Sequence, residues 1–264
     1  MPNVPTAIVF TDLDASLLNE DDYAWDGAVD AIEALRRHQI PLVLASSKTA
    51  AEMQRLASEI GTTEPLICEN GGSVAWPDGK CEAVEIERNA ILQRLDWLRG
   101  EGFQFRSFRD LGVDGIAKVT GLPPDRAALA LDRHATEPLL FDGDAESLTT
   151  FAKKLEASGL TIIRGGRFFH IAGPIDKSLA MRRVLASFSK PDHVPPRTLA
   201  IGDSPNDAKM LAAADDAIVI PGPDGRSKIP LADSHWTVAP YHGSRGWGQA
   251  VRHWMDRLSN PSTT

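Results

Sequence analysis

The stretch "AIVFTDLDASLL", residues 7–18, decides the fold. Ala7 to Phe10 form an apolar run without alternation, as expected of a strand buried on both faces, and residues 6–11 read as that strand. The run ends in two carboxylates, Asp12 and Asp14. On an extended segment positions i and i+2 share a side, so the two acids are expected to face the same way. Two close carboxylates repel, and one would hold its proton, unless a cation sits between them. A hard divalent ion such as Mg²⁺ suits such oxygen ligands. A solvated acidic turn would be spelled the same way, so the neighbours of this strand must decide.

Working outward, residues 27–38 place Ala28, Ile32 and Leu35 at helical spacing. "IPLVLAS", 40–46, is a second continuous apolar strand. Thr49 to Glu52 is a capping-box pattern opening a helix with Met53, Leu56 and Ile60 on one face. "PLICEN", 65–70, reads as a third short strand. The β–α–β–α–β order implies a parallel sheet covered by helices. The pattern returns late in the chain. "RTLAIGDS", 197–204, is a strand running into Asp203, "NDAKMLAAA" is a helix, and "AIVI" is a strand stopping at Pro221. A final helix covers "GWGQAVRHWMDRL", and the glycines of "GSRGWGQAV", 243–251, read as its start rather than as a phosphate cradle, because no strand precedes them.

In open parallel sheets ligands bind beyond the carboxyl ends of the strands. Two strand ends carry acids here, Asp12 with Asp14 and Asp203 with Asn206 and Asp207, and together they predict one site. Asp207 also suits the first turn of a helix, where the dipole favours an acid. In "LASSKT", 44–49, the hydroxyl of Ser46 and the N–H groups before a helix suit phosphate oxygens, as well as a simple N-cap. Lys177 in "PIDKSLAMRRVL" opens a helix, where its charge opposes the dipole unless it faces an anion or stays in solvent.

The middle block, residues 87–172, has helical spacing at 89–99, 125–134 and 145–157, and "LTIIRGGRFFHIAG" reads as a hairpin turning at Gly165–Gly166. It is expected to be a smaller α+β domain inserted into a core made of residues 1–86 and 173–264. One continuous domain is the alternative.

The chain has 264 residues and a formal charge of −8, so nothing supplies the cationic footprint that nucleic acid or an anionic membrane requires. A small anionic substrate remains compatible if local cations receive it. No segment reaches the ~18 apolar residues of a membrane span, and "MPNVPTAIVF" has no basic n-region, so no secretory signal is expected. Cys68 and Cys81 make neither a disulfide framework nor a metal set, and a cytoplasmic monomer or homodimer is expected.

The four features resemble, in order, the four motifs of the haloacid dehalogenase superfamily: "DLDAS", Ser46, Lys177 and "GDSPND". The resemblance implies a Rossmann-like α/β core with a C2-type cap and Mg²⁺-dependent phosphoryl transfer. It implies Asp12 as nucleophile, Asp14 as general acid and then base, and Asp12, the Asp14 carbonyl and Asp203 as metal ligands. Ser46 and Lys177 would bind the phosphoryl group, with Asn206 and Asp207 supporting the metal and its loop. The family usually has glycine after the second aspartate, where this chain has Ala15; glycine would permit positive φ there, and alanine makes it costly.

A closer resemblance, to the mannosyl-3-phosphoglycerate phosphatase family, rests on "YAW" at 23–25, "SSKT" at 46–49, "ENGG" at 69–72, "TGLP" at 120–123, "ATEPLLF" at 135–141 and "RGGRFFHIAGPIDK" at 164–177. It implies that the cap reads the sugar and the carboxylate, with Arg133 and Glu137 as candidates for the sugar hydroxyls, Arg164 and Arg167 for the carboxylate and His170 as a further contact, while Asn70, outside the cap, would approach the phosphate end of the substrate. Arg164 and Arg167 would equally serve as cross-strand charges, and His170 as a half-buried strand residue. The expected reaction is hydrolysis of mannosyl-3-phosphoglycerate to mannosylglycerate through an aspartyl-phosphate. The alternatives are the glucosyl substrate, another sugar phosphate, or a sugar-phosphate-binding regulator without catalysis.

Overall fold

The computed structural model describes residues 4–165, 168–190, 192–231 and 235–259. In chain order the strands are β1 (Ala7–Asp12), β2 (Leu42–Ala45), β3 (Leu66–Cys68), β4 (Ser73–Ala75), β5 (Cys81–Ala83), β6 (Phe105–Ser107), β7 (Thr136–Phe141), β8 (Thr161–Gly165), β9 (Phe168–Ala172), β10 (Arg197–Gly202), β11 (Asp216–Val219) and β12 (Trp236–Val238). The helices are α1 (Val29–Arg37), α2 (Ala50–Ile60), α3 (Arg88–Gly100), α4 (Phe108–Thr120), α5 (Pro124–Leu131), α6 (Ala145–Glu156), α7 (Lys177–Phe188), α8 (Ala208–Ala213) and α9 (Gly243–Ser259). The chain packs as two compact units. One comprises Met1–Ser46, Gly61–Pro65 and Met181–Thr264; the other comprises Ser47–Ile60 and Leu66–Ala180.

In the first unit the strands run parallel in the order β12-β11-β10-β1-β2. All six residues of β1 and all four of β2 are buried, the double-sided burial their unbroken apolar runs predict. The register places Thr11 beside Ile201 and Asp12 beside Ala45. Strands β1, β2 and β10 therefore end side by side, with their acids and Ser46 at one edge. Helices α1 and α9 pack together, and α9 contributes the fully buried Trp247 and Trp254.

The second unit holds the antiparallel strands β3-β4-β5 and a four-stranded antiparallel sheet, β6-β7-β9-β8. Helices α3 and α6 pack on that sheet, burying Ile91, Leu95, Leu98, Phe151 and Leu155 against Phe105, Leu139 and Ile171. Three phenylalanine rings, Phe103, Phe105 and Phe141, meet Phe151 at centroid separations of 5.1–5.5 Å, in the tilted geometry aromatic pairs prefer. Helix α4 escapes a reading by periodicity because "FRDLGVDGIAKVT" carries two glycines, one of which, Gly112, takes φ 60° and kinks it. A capping box between Ser107 and Asp110 starts it nonetheless. The predicted box at α2 is also present: Thr49 N–H donates to Glu52 Oε2 at 2.8 Å and Glu52 N–H to Thr49 Oγ1 at 3.2 Å.

Gly166 and Arg167 lie outside the described residues, so the hairpin tip is not described. Helix α9 begins at Gly243, within "GSRGWGQAV" as predicted, but strand β12 (Trp236–Val238) does precede it, so the premise of that reading fails.

Candidate active site

Strand β1 ends at Asp12, and the chain then turns tightly. Ser16 N–H donates to the Leu13 carbonyl at 3.2 Å, Leu18 N–H to the same oxygen at 2.8 Å, and Asp14 bridges to Leu18. Asp14 is therefore not on an extended segment with Asp12, and strand periodicity does not relate the two side chains. The turn passes through the left-handed region at Ala15, with φ 58°. This is the conformation glycine would adopt without strain.

The partners of Asp12 come instead from the end of β10. Asp12, Asp203 and Asp207 each offer a carboxylate oxygen, and these atoms lie within 4.8 Å of one another. All three residues are buried: Asp12 and Asp203 are 6% exposed and Asp207 0%. Asp207 is brought back onto the strand end by its own hydrogen bonds. Its Oδ2 accepts the N–H of Asp203 and of Ser204, both at 3.1 Å. Gly202 makes the fold-back possible, since a Cβ there would lie 2.4 Å from the Asp207 Cβ. The Ser204 hydroxyl donates to the side-chain oxygen of Asn206, which is exposed.

Three buried carboxylates this close repel one another, and a cation between them would relieve that repulsion. Their donors are all oxygens, the set a hard divalent ion prefers, so this cluster could hold a metal ion. One compensating charge belongs to the chain itself: Lys228 Nζ lies 3.1 Å from Asp203 Oδ2. Partial burial alone would lower the lysine pKa, but pairing with Asp203 outweighs it and holds the ammonium above its ordinary value. Sequence reading missed Lys228, because it stands 25 residues beyond Asp203 in an irregular loop.

Sequence reading also missed the support beneath Asp12. Trp247 Nε1 donates to Thr11 Oγ1 at 2.8 Å, and the Thr11 hydroxyl donates to the Asp12 carbonyl at 2.8 Å. Ser46, directly after β2, is fully buried. The Ser16 hydroxyl is buried without a hydrogen-bond partner.

In the second unit, Lys177 opens α7 and is fully buried. Its neighbour Asp176 caps the helix, accepting the N–H groups of Ser178 at 2.9 Å and Leu179 at 3.1 Å. The "ENGG" loop packs against this start. Glu69, Asn70 and Gly71 all have positive φ, and a Cβ on Gly71 would lie 2.2 Å from the Asp176 carbonyl oxygen and 2.8 Å from the Lys177 nitrogen. The loop is pinned by Glu69, whose carboxylate accepts His134 N–H at 2.7 Å and the Thr136 hydroxyl at 2.6 Å.

Arg133 and Glu137 are buried inside this unit. Arg133 donates to Thr136 Oγ1 at 2.8 Å and to the Ser47 carbonyl at 3.2 Å, and pairs with Glu69 at 3.4 Å. The two oxygens of Glu137 accept Arg88 Nε at 2.7 Å and Arg109 N–H at 2.8 Å. Arg164 is exposed on β8, and Arg167 lies outside the described residues. His170 stands on β9 between Pro138 of β7 and Ile163 of β8, with its Nδ1 buried and without a hydrogen-bond partner. Burial first, then the Arg133 charge, pushes its pKa down to about 4 against the opposing pull of Glu69, so the ring is neutral near pH 7.

A parallel sheet whose adjacent strand ends carry this carboxylate cluster defines a class. The profile of the haloacid dehalogenase-like hydrolases matches residues 9–220, and the chain belongs to that family. A haloacid dehalogenase-like hydrolase from Bacteroides thetaiotaomicron has the same fold, with a TM-score of 0.68 at 18% identity, over 94% of this chain and 99% of that one. More particularly, the chain is 33% identical over 260 residues to a glucosyl-3-phosphoglycerate/mannosyl-3-phosphoglycerate phosphatase of Persephonella marina, covering 92% of this chain and 95% of that protein. It is 31% identical over 269 residues to the protein of the same name from Methanococcoides burtonii, covering 96% of this chain and 98% of that protein. Among the described residues no helix is long and apolar enough to cross a membrane.

Proposed function

We propose that the chain is a Mg²⁺-dependent phosphatase of glycosylated 3-phosphoglycerates, hydrolysing mannosyl-3-phosphoglycerate to mannosylglycerate and phosphate. The observation that carries this reading is the buried Asp12–Asp203–Asp207 cluster at the ends of β1 and β10. In this reading Asp12 attacks phosphorus, forming an aspartyl-phosphate as the bond to the glycerate oxygen breaks. Asp14 gives the departing oxygen its proton. Asp14 then takes a proton from the water that attacks the aspartyl-phosphate, which releases phosphate and regenerates Asp12. Mg²⁺, held by Asp12, Asp203 and the Asp14 carbonyl, would neutralise charge on the phosphoryl oxygens. Asn206 and Asp207 would support that set, and Ser46 and Lys177 would bind the phosphoryl group.

The cap would be residues 87–172, on a core of 1–86 and 173–264. We assign the carboxylate to Arg164 and Arg167, the sugar to His170 and the phosphate end of the substrate to Asn70, with Arg133 and Glu137 supporting the sugar-reading surface. A neutral His170 suits a hydroxyl better than an anion. The names of both curated relatives cover both sugars, which favours a chain that accepts the glucosyl substrate as well.

The test is phosphate release with Mg²⁺ from mannosyl-3-phosphoglycerate, glucosyl-3-phosphoglycerate, sucrose phosphate, mannose 6-phosphate and 3-phosphoglycerate. Strong preference for the glycosylated phosphoglycerates, abolished in Asp12→Asn, is the expected result. Broad weak turnover would overturn the substrate, and undiminished hydrolysis in Asp12→Asn would overturn the mechanism. Tight substrate binding without phosphate release would make the protein a regulator.

A further inference from the structure

We propose that Lys228 is a built-in counter-ion of the divalent-cation site, competing with the cation for Asp203 and so setting the affinity of the site. The inference rests on the metal reading above and goes beyond it.

Lys228 is not a stray surface lysine. The loop after β11 is fastened on both sides of it: Gly222 N–H donates to the Arg226 carbonyl at 2.9 Å, and the Ser227 hydroxyl donates to the Ile229 carbonyl at 2.6 Å, with Ile229 buried. From this loop the side chain, 45% exposed, reaches a carboxylate that is only 8% exposed. Asp203 and Lys228 line a small cavity with Ala15, Glu20 and His242. Glu20 thus offers the ammonium a second acidic neighbour once a cation takes Asp203.

The charges explain the arrangement. Asp12, Asp203 and Asp207 together carry up to three negative charges. Lys228 offsets part of that charge at Asp203, and a divalent ion would offset more of it. The same charge that steadies the metal-free cluster repels an arriving cation, and partial exposure lets the flexible lysine yield. Replacing it by an uncharged side chain of similar length should therefore tighten cation binding.

The experiment is calorimetric titration of Mg²⁺ into full-length, chelator-stripped protein, as wild type, Lys228→Met, Lys228→Arg and Asp203→Asn. Lys228→Met is expected to bind Mg²⁺ about tenfold more tightly at low ionic strength, the gap narrowing as salt screens the charge. Lys228→Arg should stay close to wild type. Without metal, Lys228→Met should melt below wild type, and Mg²⁺ should raise its melting temperature by more. Unchanged or weaker Mg²⁺ binding in Lys228→Met, while wild type keeps one site lost in Asp203→Asn, overturns this inference alone. Absence of that site in wild type overturns the metal reading with it.

Discussion

Trp247 of the last helix and Thr11 of the first strand, 236 positions apart, are joined by a hydrogen bond of 2.8 Å, and Thr11 passes it on to the Asp12 carbonyl. The indole is fully buried, so this link is shielded from water. Trp247→Phe keeps most of the packing and removes the donor. It is expected to cost about 1–3 kcal/mol of stability. It should also lower kcat while leaving KM nearly unchanged, because it acts on the placement of Asp12. Denaturant titration and steady-state kinetics check both; a change confined to KM would refute the positioning role.

Ala15 stands in the left-handed region at φ 58°. An alanine there costs about 1–2 kcal/mol, of which glycine's extra freedom in the unfolded chain offsets part. Ala15→Gly is therefore expected to stabilise the protein by up to about 1 kcal/mol, read as a rise in Tm of a few degrees. A fall in Tm would mean that the methyl group makes contacts worth more than the strain.

Gly71 presents the opposite case. Its φ is 89° and an added Cβ would lie 2.2 Å from the Asp176 carbonyl oxygen. Gly71→Ala must push the "ENGG" loop away from the start of α7, at an expected cost of about 3 kcal/mol or more. Because that start carries Lys177, activity should fall with stability. Urea unfolding at equilibrium measures the first and turnover the second.

His170 supplies a pH signature. Its pKa is about 4 in the folded chain, against about 6.5 unfolded. Between these values the unfolded chain binds a proton that the folded chain does not. Stability from this residue is therefore full above pH 6.5 and is lost as pH falls towards 4. The groups acting on it are Arg133, which disfavours protonation, and Glu69, which favours it. His170→Phe should flatten the decline in stability across that window; an identical slope in both proteins would show that His170 does not titrate there.

The sequence by itself determined the strand that ends at Asp12, the strand that runs into Asp203, the α2 capping box and the start of α9. The strands and the box are written in neighbouring residues, an unbroken apolar run and a Thr–Glu pair three apart; the helix start was placed although its ground, that no strand precedes the glycines, fails at β12. These local signals sufficed for an α/β fold; the family came from the resemblance of "DLDAS", Ser46, Lys177 and "GDSPND" to the haloacid dehalogenase motifs. They did not give α4, whose glycines break the helical period, or the turn after Asp12, which separates Asp14 from the strand. Nor did they reveal that Gly202 lets Asp207 close on Asp203, that Lys228 reaches the same carboxylate, or that Arg133 and Glu137 are buried among Glu69, Thr136 and Arg88. Those relations depend on strand register and on which surfaces pack together. Distant residues meet only when the whole chain has folded, and sequence spacing carries no record of that meeting.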